Sequence, residues 1–263
     1  MAPATWAFPE EFLWGTATAS VQVEGDNANS DRWLWEPEPD RMRHGDRSGK
    51  PCDWWGGRWA EDFDRAAACG QNAHRRSIEW SRIEPSLAKW EAVALAYYRE
   101  ILHGAVDRGL RPIVTLHHFT NPQWLAEHGA WLDAEASSLF ARTVHKVVSC
   151  LRDLADLWIM LDKLNVLAHS GYAPGVFPPG VRNLNRAFPA RVHRMQVHAA
   201  AYPTICALRT SARMGLARHV RGMLPERPAC PLDTVVTWAR STTSMTCSPE
   251  RRRTAHSVCQ RDA

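Results

Sequence analysis

Six side chains carry groups able to bind or to move protons: Gln22, Arg75, His118, Trp124, Asp162 and Lys163. The Gln22 carboxamide donates and accepts hydrogen bonds at once, which suits it to hydroxyl groups. Lys163 follows directly on Asp162. A lysine with its ordinary pKa near 10.4 stays protonated at neutral pH. It can give a proton away, but takes one back from water only if burial lowers that pKa by several units. Each residue also has a plainer reading: Gln22 as a turn residue, Arg75 as a salt-bridged interior cation, Trp124 as core, and His118, like its neighbour His117, as a satisfied structural imidazole. Seven cysteines are scattered without a metal-ligand spacing, and Leu13-Trp14-Gly15-Thr16-Ala17 does not match a dinucleotide-binding fingerprint, so no cofactor is expected.

These residues must be held by an alternating framework. Apolar runs at Phe12–Thr16, Ala73–Trp80, Pro112–His118, Leu157–Leu161 and Met214–Val220 predict strands. Between them lie helical patterns. Trp59, Phe63 and Ala66/Ala67 share a face and are followed by Gly70; Leu95, Tyr98, Leu102 and Ala105/Val106 are followed by Gly109. Leu139, Phe140, Val144, Val147, Val148, Leu151 and Leu154 predict a longer helix, and Asn121-Pro122 reads as an N-cap followed by proline at the first helical position. Strands alternating with helices imply βαβ units and a parallel sheet, either a barrel or a doubly wound sheet.

Composition narrows the class. Hydrophobic residues make up 45% of the 263, enough for a globular core, and the 13 tryptophans read first as core filler and second as sugar-stacking surfaces. The overall charge of +4 conceals a basic end: residues 181–263 hold fourteen arginines, no lysine, and only Glu226, Asp233, Glu250 and Asp262 as acids. Those arginines are dispersed without interleaved aromatics, so no nucleic-acid partner is expected. No run approaches the roughly 20 apolar residues of a membrane span, and Met1–Phe8 lacks the pattern of a secretory signal. A cytoplasmic chain with reduced thiols is the expectation.

Several segments, in order, resemble family 1 glycoside hydrolases. Phe8-Pro9-Glu10-Glu11-Phe12-Leu13-Trp14-Gly15-Thr16-Ala17-Thr18-Ala19 with Gln22-Val23-Glu24-Gly25 is similar to the family's N-terminal signature, and Arg75-Arg76-Ser77-Ile78-Glu79-Trp80-Ser81-Arg82-Ile83-Glu84-Pro85 to its second-strand motif. The run from Pro112 through His118, Pro122 and Trp124 to Leu125 resembles the third strand, Gly171-Tyr172 and Gly175 to Gly180 follow, and Met214 to His219 resembles the fifth. The resemblance implies an α/β fold, an incomplete TIM (β/α)8 barrel with about five of eight βα units over residues 1–239, and an ancestral retaining hydrolysis of β-glycosides. It implies that Gln22 and His118 bind a sugar, that Arg75 supports the nucleophile by charge, and that Trp124 shapes the aglycone side.

The pattern departs from the family at its chemical centre. Retaining hydrolysis takes two carboxyl groups about 5 Å apart. In Trp158-Ile159-Met160-Leu161-Asp162-Lys163-Leu164-Asn165, Lys163 stands where the family has its acid/base glutamate, Asp162 where it has an asparagine that donates to the sugar 2-hydroxyl, and Leu164 where it has proline. The nucleophile motif Thr-Glu-Asn-Gly occurs nowhere in the sequence. The expectation is a degenerate glycosidase without turnover that binds a β-glucoside-type sugar weakly. The alternatives are an active β-glucosidase assembled with a partner, and a non-enzymatic carbohydrate-binding or interaction module. A partial barrel leaves open strand edges, which predicts self-association. Residues 240–263 lack periodicity and read as a disordered basic tail resembling a shifted reading frame.

Overall fold

Apolar runs that cannot bury themselves alone pair with the runs beside them in sequence. In the computed structural model of the chain, residues 7–49, 52–219 and 223–245 are described. Strands β1 (Gly15–Ala17), β2 (Ala73–Ser77), β3 (Arg111–Thr115), β4 (Leu157–Ile159) and β5 (Arg213–Gly215) form one parallel sheet in the order β1-β2-β3-β4-β5. The helices are α1 (Ser20–Val23), α2 (Asp31–Trp35), α3 (Trp59–Ala68), α4 (Trp80–Ile83), α5 (Ala92–Asp107), α6 (Gln123–Glu127), α7 (Ala136–Leu151), α8 (Leu164–Tyr172), α9 (Leu184–Leu208) and α10 (Pro231–Met245). Parallel neighbours need a crossover between them, and the longer helices supply it. The register is continuous: Ala17 pairs with Arg75, Arg75 with Ile113, Ile113 with Leu157, and Leu157 with Arg213. Among the described residues β1 and β5 each have one strand neighbour.

All five expected strands are present, but they are shorter than the apolar runs. The run Phe12–Thr16 contributes only its end to β1, whose three residues are exposed, and Phe8, Phe12 and Trp14 stack on one another at the surface instead. Beyond β2, β3 and β4 the chain keeps single cross-strand bonds while turning outward: Ile78 N donates to Thr115 O, Leu116 N to Ile159 O, and Asp162 N to His117 O. The site residues therefore leave the sheet on backbone that is still tethered to it.

Helix ends follow the glycines. Gly70 and Gly109 adopt φ of +75° and +74°, a conformation costly for other residues. At each, the glycine N–H and the next residue's N–H close back onto the last helical turn: Gly70 to Ala67 O with Gln71 to Ala66 O, and Gly109 to Val106 O with Leu110 to Ala105 O. The expected cap at Asn121-Pro122 is shifted by one residue. Pro122 is the N-cap and α6 starts at Gln123. Asn121 is drawn away by a buried carboxylate: its N–H and its Nδ2 donate to the two oxygens of Asp31 at 2.9 and 2.7 Å.

Burial pushes the Asp31 pKa up from 3.8 to about 7, against the pull of the Asn121 hydrogen bonds. A raised carboxyl holds its proton in the folded state after the unfolded chain has lost it, so its presence costs stability as pH rises from 4 to 7. Asp31→Asn is therefore expected to gain about 2 kcal/mol relative to the parent chain between pH 5 and pH 7. Urea midpoints at the two pH values check this; a constant difference would show that Asp31 ionises normally.

The core lies where α3, α5 and α7 cover the sheet. Seven tryptophans are buried in it, at positions 35, 54, 59, 80, 124, 131 and 158, which bears out the core reading of the tryptophan bias. Trp80 meets Trp124 edge-on at 5.7 Å and Phe140 at 5.4 Å. Edge-to-face pairs of this kind contribute about 0.5–1.5 kcal/mol beyond their burial. Cys52, Cys69, Cys150 and Cys230 are free thiols. No helix among the described residues is long and apolar enough to cross a membrane.

Two of the longer helices were not expected. α9 spans 25 residues with Pro189 and Pro203 inside it. α10 runs to Met245, past residue 240 where a structureless tail was expected to begin. The rest of that segment, 246–263, lies outside the described residues.

Candidate functional site

Four of the six sequence-predicted residues meet at the C-terminal ends of the strands, the end that carries chemistry in barrels. Arg75 on β2 donates its Nε to Thr115 Oγ1 at 2.9 Å and its Nη2 to Asp162 Oδ1. The Lys163 Nζ donates to Asp162 Oδ2 at 2.9 Å, and His118 Nε2 lies 3.2 Å from the same oxygen. Asp162, whose side chain is fully buried, is thus the hub of the cluster, with Arg75, Lys163 and His118 around it.

Burial works against ionisation of Asp162, but His118, Lys163 and Arg75 outweigh it and hold the carboxyl below its ordinary range. His118 moves the other way. Burial lowers its pKa to about 4, with Asp162 opposing and Arg75 and Lys163 assisting. At neutral pH His118 is therefore an uncharged hydrogen-bonding partner, and Arg75 and Lys163 carry the cluster's positive charge. Two basic side chains share one carboxylate.

Lys163 also marks the turn into α8. It adopts φ 34° and ψ 57°, left-handed values unusual for a side chain with a Cβ, and Phe119 after β3 does the same at φ 74°. The two strained residues face each other, with the Lys163 Nζ 5.7 Å from the Phe119 ring centre. Left-handed residues of this sort cost about 1–3 kcal/mol each and cluster at ligand sites.

Two predicted residues stand apart. Gln22 is exposed on α1, where its Oε1 accepts the Ala19 N–H at 3.2 Å and caps the helix. Trp124 is core: its Nε1 donates to Glu84 O at 2.9 Å and its ring packs on Trp80. His117 is buried with Nε2 3.0 Å from Asn121 Oδ1, and burial takes its pKa well below the ordinary value, which fits a structural imidazole.

A cavity of about 930 Å³ opens beside this cluster. Of the predicted residues only Lys163 lines it; the other walls come from Phe119, from α8 and α9, and from His219 after β5. Sequence reasoning missed these residues because they are brought together by packing of α9 on α8. It also assigned no role to a buried polar network beneath β2. Glu24 accepts from Arg76 Nη2 at 2.8 Å, Arg82 Nε at 3.1 Å and Tyr98 Oη at 3.0 Å. Glu79 accepts from Ser20, Ser81 and Thr120 hydroxyls at 2.8–2.9 Å. Both glutamates lie in motifs that the sequence displays, and charges inside a strand-forming stretch were the available signal. Among the described residues no group of His, Cys, Asp and Glu is arranged to hold a metal ion.

The arrangement can be set against known proteins. Beta-glucosidase A of Thermotoga maritima is 34% identical over 200 residues, covering 74% of this chain and 45% of that protein. A β-glycosidase from Pyrococcus horikoshii superimposes at TM-score 0.83 with 32% identity, over 90% of this chain and 54% of the other. The family 1 β-glucosidase structure from Thermotoga maritima gives TM-score 0.87 at 28% identity, over 90% and 55% respectively. The chain thus spans about half the length of the relatives it matches, and its five parallel strands make up part of their (β/α)8 barrel. The profile of one family matches residues 4–245, including the strand ends that gather Arg75, His118, Asp162 and Lys163 and the α10 segment beyond them. The chain belongs to glycosyl hydrolase family 1.

Proposed function

We propose that this chain is a family 1 glycosidase-like protein that binds β-glucoside-type sugars weakly and does not hydrolyse them. The observation that carries the reading is the state of Lys163, the residue that the family resemblance aligns with the acid/base glutamate: its ammonium is hydrogen-bonded to Asp162 at 2.9 Å. An ammonium held by a carboxylate is a poor general base for water, and the second step of retaining hydrolysis needs that base. Retained sugar affinity rests on His118 at the strand ends and on Gln22.

Incubation with an aryl β-glucoside tests the first part: release of the phenol at the uncatalysed rate is expected, and turnover above background would overturn it. Activity surviving Lys163→Ala would point to a contaminant. Calorimetry with glucose and cellobiose tests the second part, with millimolar binding expected and absence of heat at that concentration removing it. A second reading, an active enzyme assembled with a partner polypeptide, is favoured by the single strand neighbours that β1 and β5 have among the described residues. It requires that a chain supplying further strands and a carboxylate nucleophile raise turnover on mixing. Self-association through the same edges predicts a concentration-dependent sedimentation coefficient.

A further inference from the structure

We infer that Arg194, Tyr172 and Trp131 together form a binding site for one small monovalent anion, the size of a halide, inside the fold. The inference concerns the interior and stands whether or not a sugar binds at the strand ends. Arg194 sits where α9 packs on α7, on α8 and on the short turn Ala130–Leu132. Its side chain is fully buried, and Nε, Nη1 and Nη2 have no hydrogen-bond partner among the described residues. A guanidinium only donates, so none of its bonding capacity is used. Buried polar groups are paired in the large majority of cases, and a buried charge without a partner is more costly still. The acid whose charge reaches Arg194, Asp162, has its oxygens bonded to Arg75 and Lys163.

Further unused donors gather around it. The guanidinium lies 4.9 Å from the Trp131 ring centre, and the Trp131 Nε1 is itself buried without a partner. The Tyr172 hydroxyl, at the end of α8, is also buried without one. The Trp131 backbone favours its oxygen and the charge of Arg194 reaches it, so the hydroxyl proton remains to be given. N–H and O–H donors around a cation suit an anion, which accepts charge-assisted hydrogen bonds from them and offsets the charge. A water accepts such bonds but brings no charge. His117, whose ring is 5.0 Å from that of Trp131, differs from the others. Asn121 spends its Nδ2 on Asp31, so its Oδ1 accepts from His117 Nε2, and the unpartnered His117 Nδ1 is a lone pair suited to a water beside the ion. Because Arg194, Tyr172 and Trp131 are all buried, the site admits a small ion and excludes an anion with an organic body.

Urea unfolding of the full chain at constant ionic strength, with chloride replacing gluconate stepwise, tests the inference. One ion bound only by the folded chain lowers the unfolding constant about tenfold for each tenfold rise in chloride above its dissociation constant. That dependence is expected for the parent chain, with bromide acting like chloride. Arg194→Met is expected to abolish it. The comparison starts in halide-free buffer, where the uncompensated guanidinium makes the variant the more stable chain, and added chloride narrows the gap. Tyr172→Phe removes one hydroxyl; it is expected to keep the dependence but to raise the chloride concentration at which it begins about tenfold. Crystals grown in bromide are expected to show an anomalous peak within hydrogen-bond distance of the Arg194 guanidinium. An unfolding constant indifferent to halide, the result if waters alone serve these donors, would overturn the inference. Equal halide dependence in the parent and in Arg194→Met would overturn it as well.

Discussion

Replacing Asp162 with leucine is expected to destabilise the chain by about 3–5 kcal/mol, measured as the loss in urea unfolding free energy. The size follows from what is left behind. Lys163 is 39% exposed and can turn its ammonium to water, so its lost ion pair costs little. His118 is uncharged at neutral pH and forfeits only a hydrogen-bonding partner. Arg75 is the group that cannot escape: its side chain is 18% exposed and its other partner is the neutral Thr115 hydroxyl. A guanidinium stranded between β2 and β3 carries most of the penalty. The double variant Asp162→Leu with Arg75→Leu is expected to recover a large part of the loss, because removing both members of a buried pair costs much less than removing one. A single-variant loss below about 1 kcal/mol would mean that Arg75 is solvated in the folded chain.

The opposite sign is expected at Arg194. This residue on α9 is fully buried, and its Nε, Nη1 and Nη2 have no hydrogen-bond partner. Those three nitrogens lack a partner among the described residues; the guanidinium lies 4.9 Å from the Trp131 ring centre, and burial pulls its pKa down to about 9 against the influence of Tyr172 and Asp162. At neutral pH it is still a cation. A cation–π contact supplies about 2 kcal/mol when desolvated, whereas burying a charge without hydrogen bonds costs more than that. Arg194→Met keeps an unbranched stem that fits the same path and removes the charge. It is expected to stabilise the chain by about 2–4 kcal/mol, read again from urea unfolding. Destabilisation would show that the guanidinium is paired in solution with a water or ion.

How much of this could be read in advance depended on how local the cause was. The Gly70 and Gly109 stops were legible because a helix end is settled within a few residues. The five strands were legible as apolar runs, but β2 reads Ala-His-Arg-Arg-Ser, and its Arg76 is tolerated in the interior because Glu24, 52 residues earlier, meets it there. No window on the sequence contains both. α9 escaped notice because two prolines and several basic residues blur its period, and its buried stripe of Ala190, Arg194, Val197, Ala201 and Ile205 is interrupted by a charge. At the site, Arg75, His118, Asp162 and Lys163 were identified through family motifs, whereas their mutual bonds follow from strand register. The cavity wall was invisible, since α8 and α9 meet only once the chain has folded.

The sequential strand order bears on how the chain emerges during synthesis. The pairings Ala17 with Arg75, Arg75 with Ile113, Ile113 with Leu157 and Leu157 with Arg213 span 58, 38, 44 and 56 residues. Each new strand docks on the one translated just before it, so loop closure never grows beyond a single unit. A nascent polypeptide at about 5–20 residues per second has seconds to add each βα unit before the next leaves the ribosome, and of the two edges of the growing sheet the newer one is covered by the following unit as far as β5.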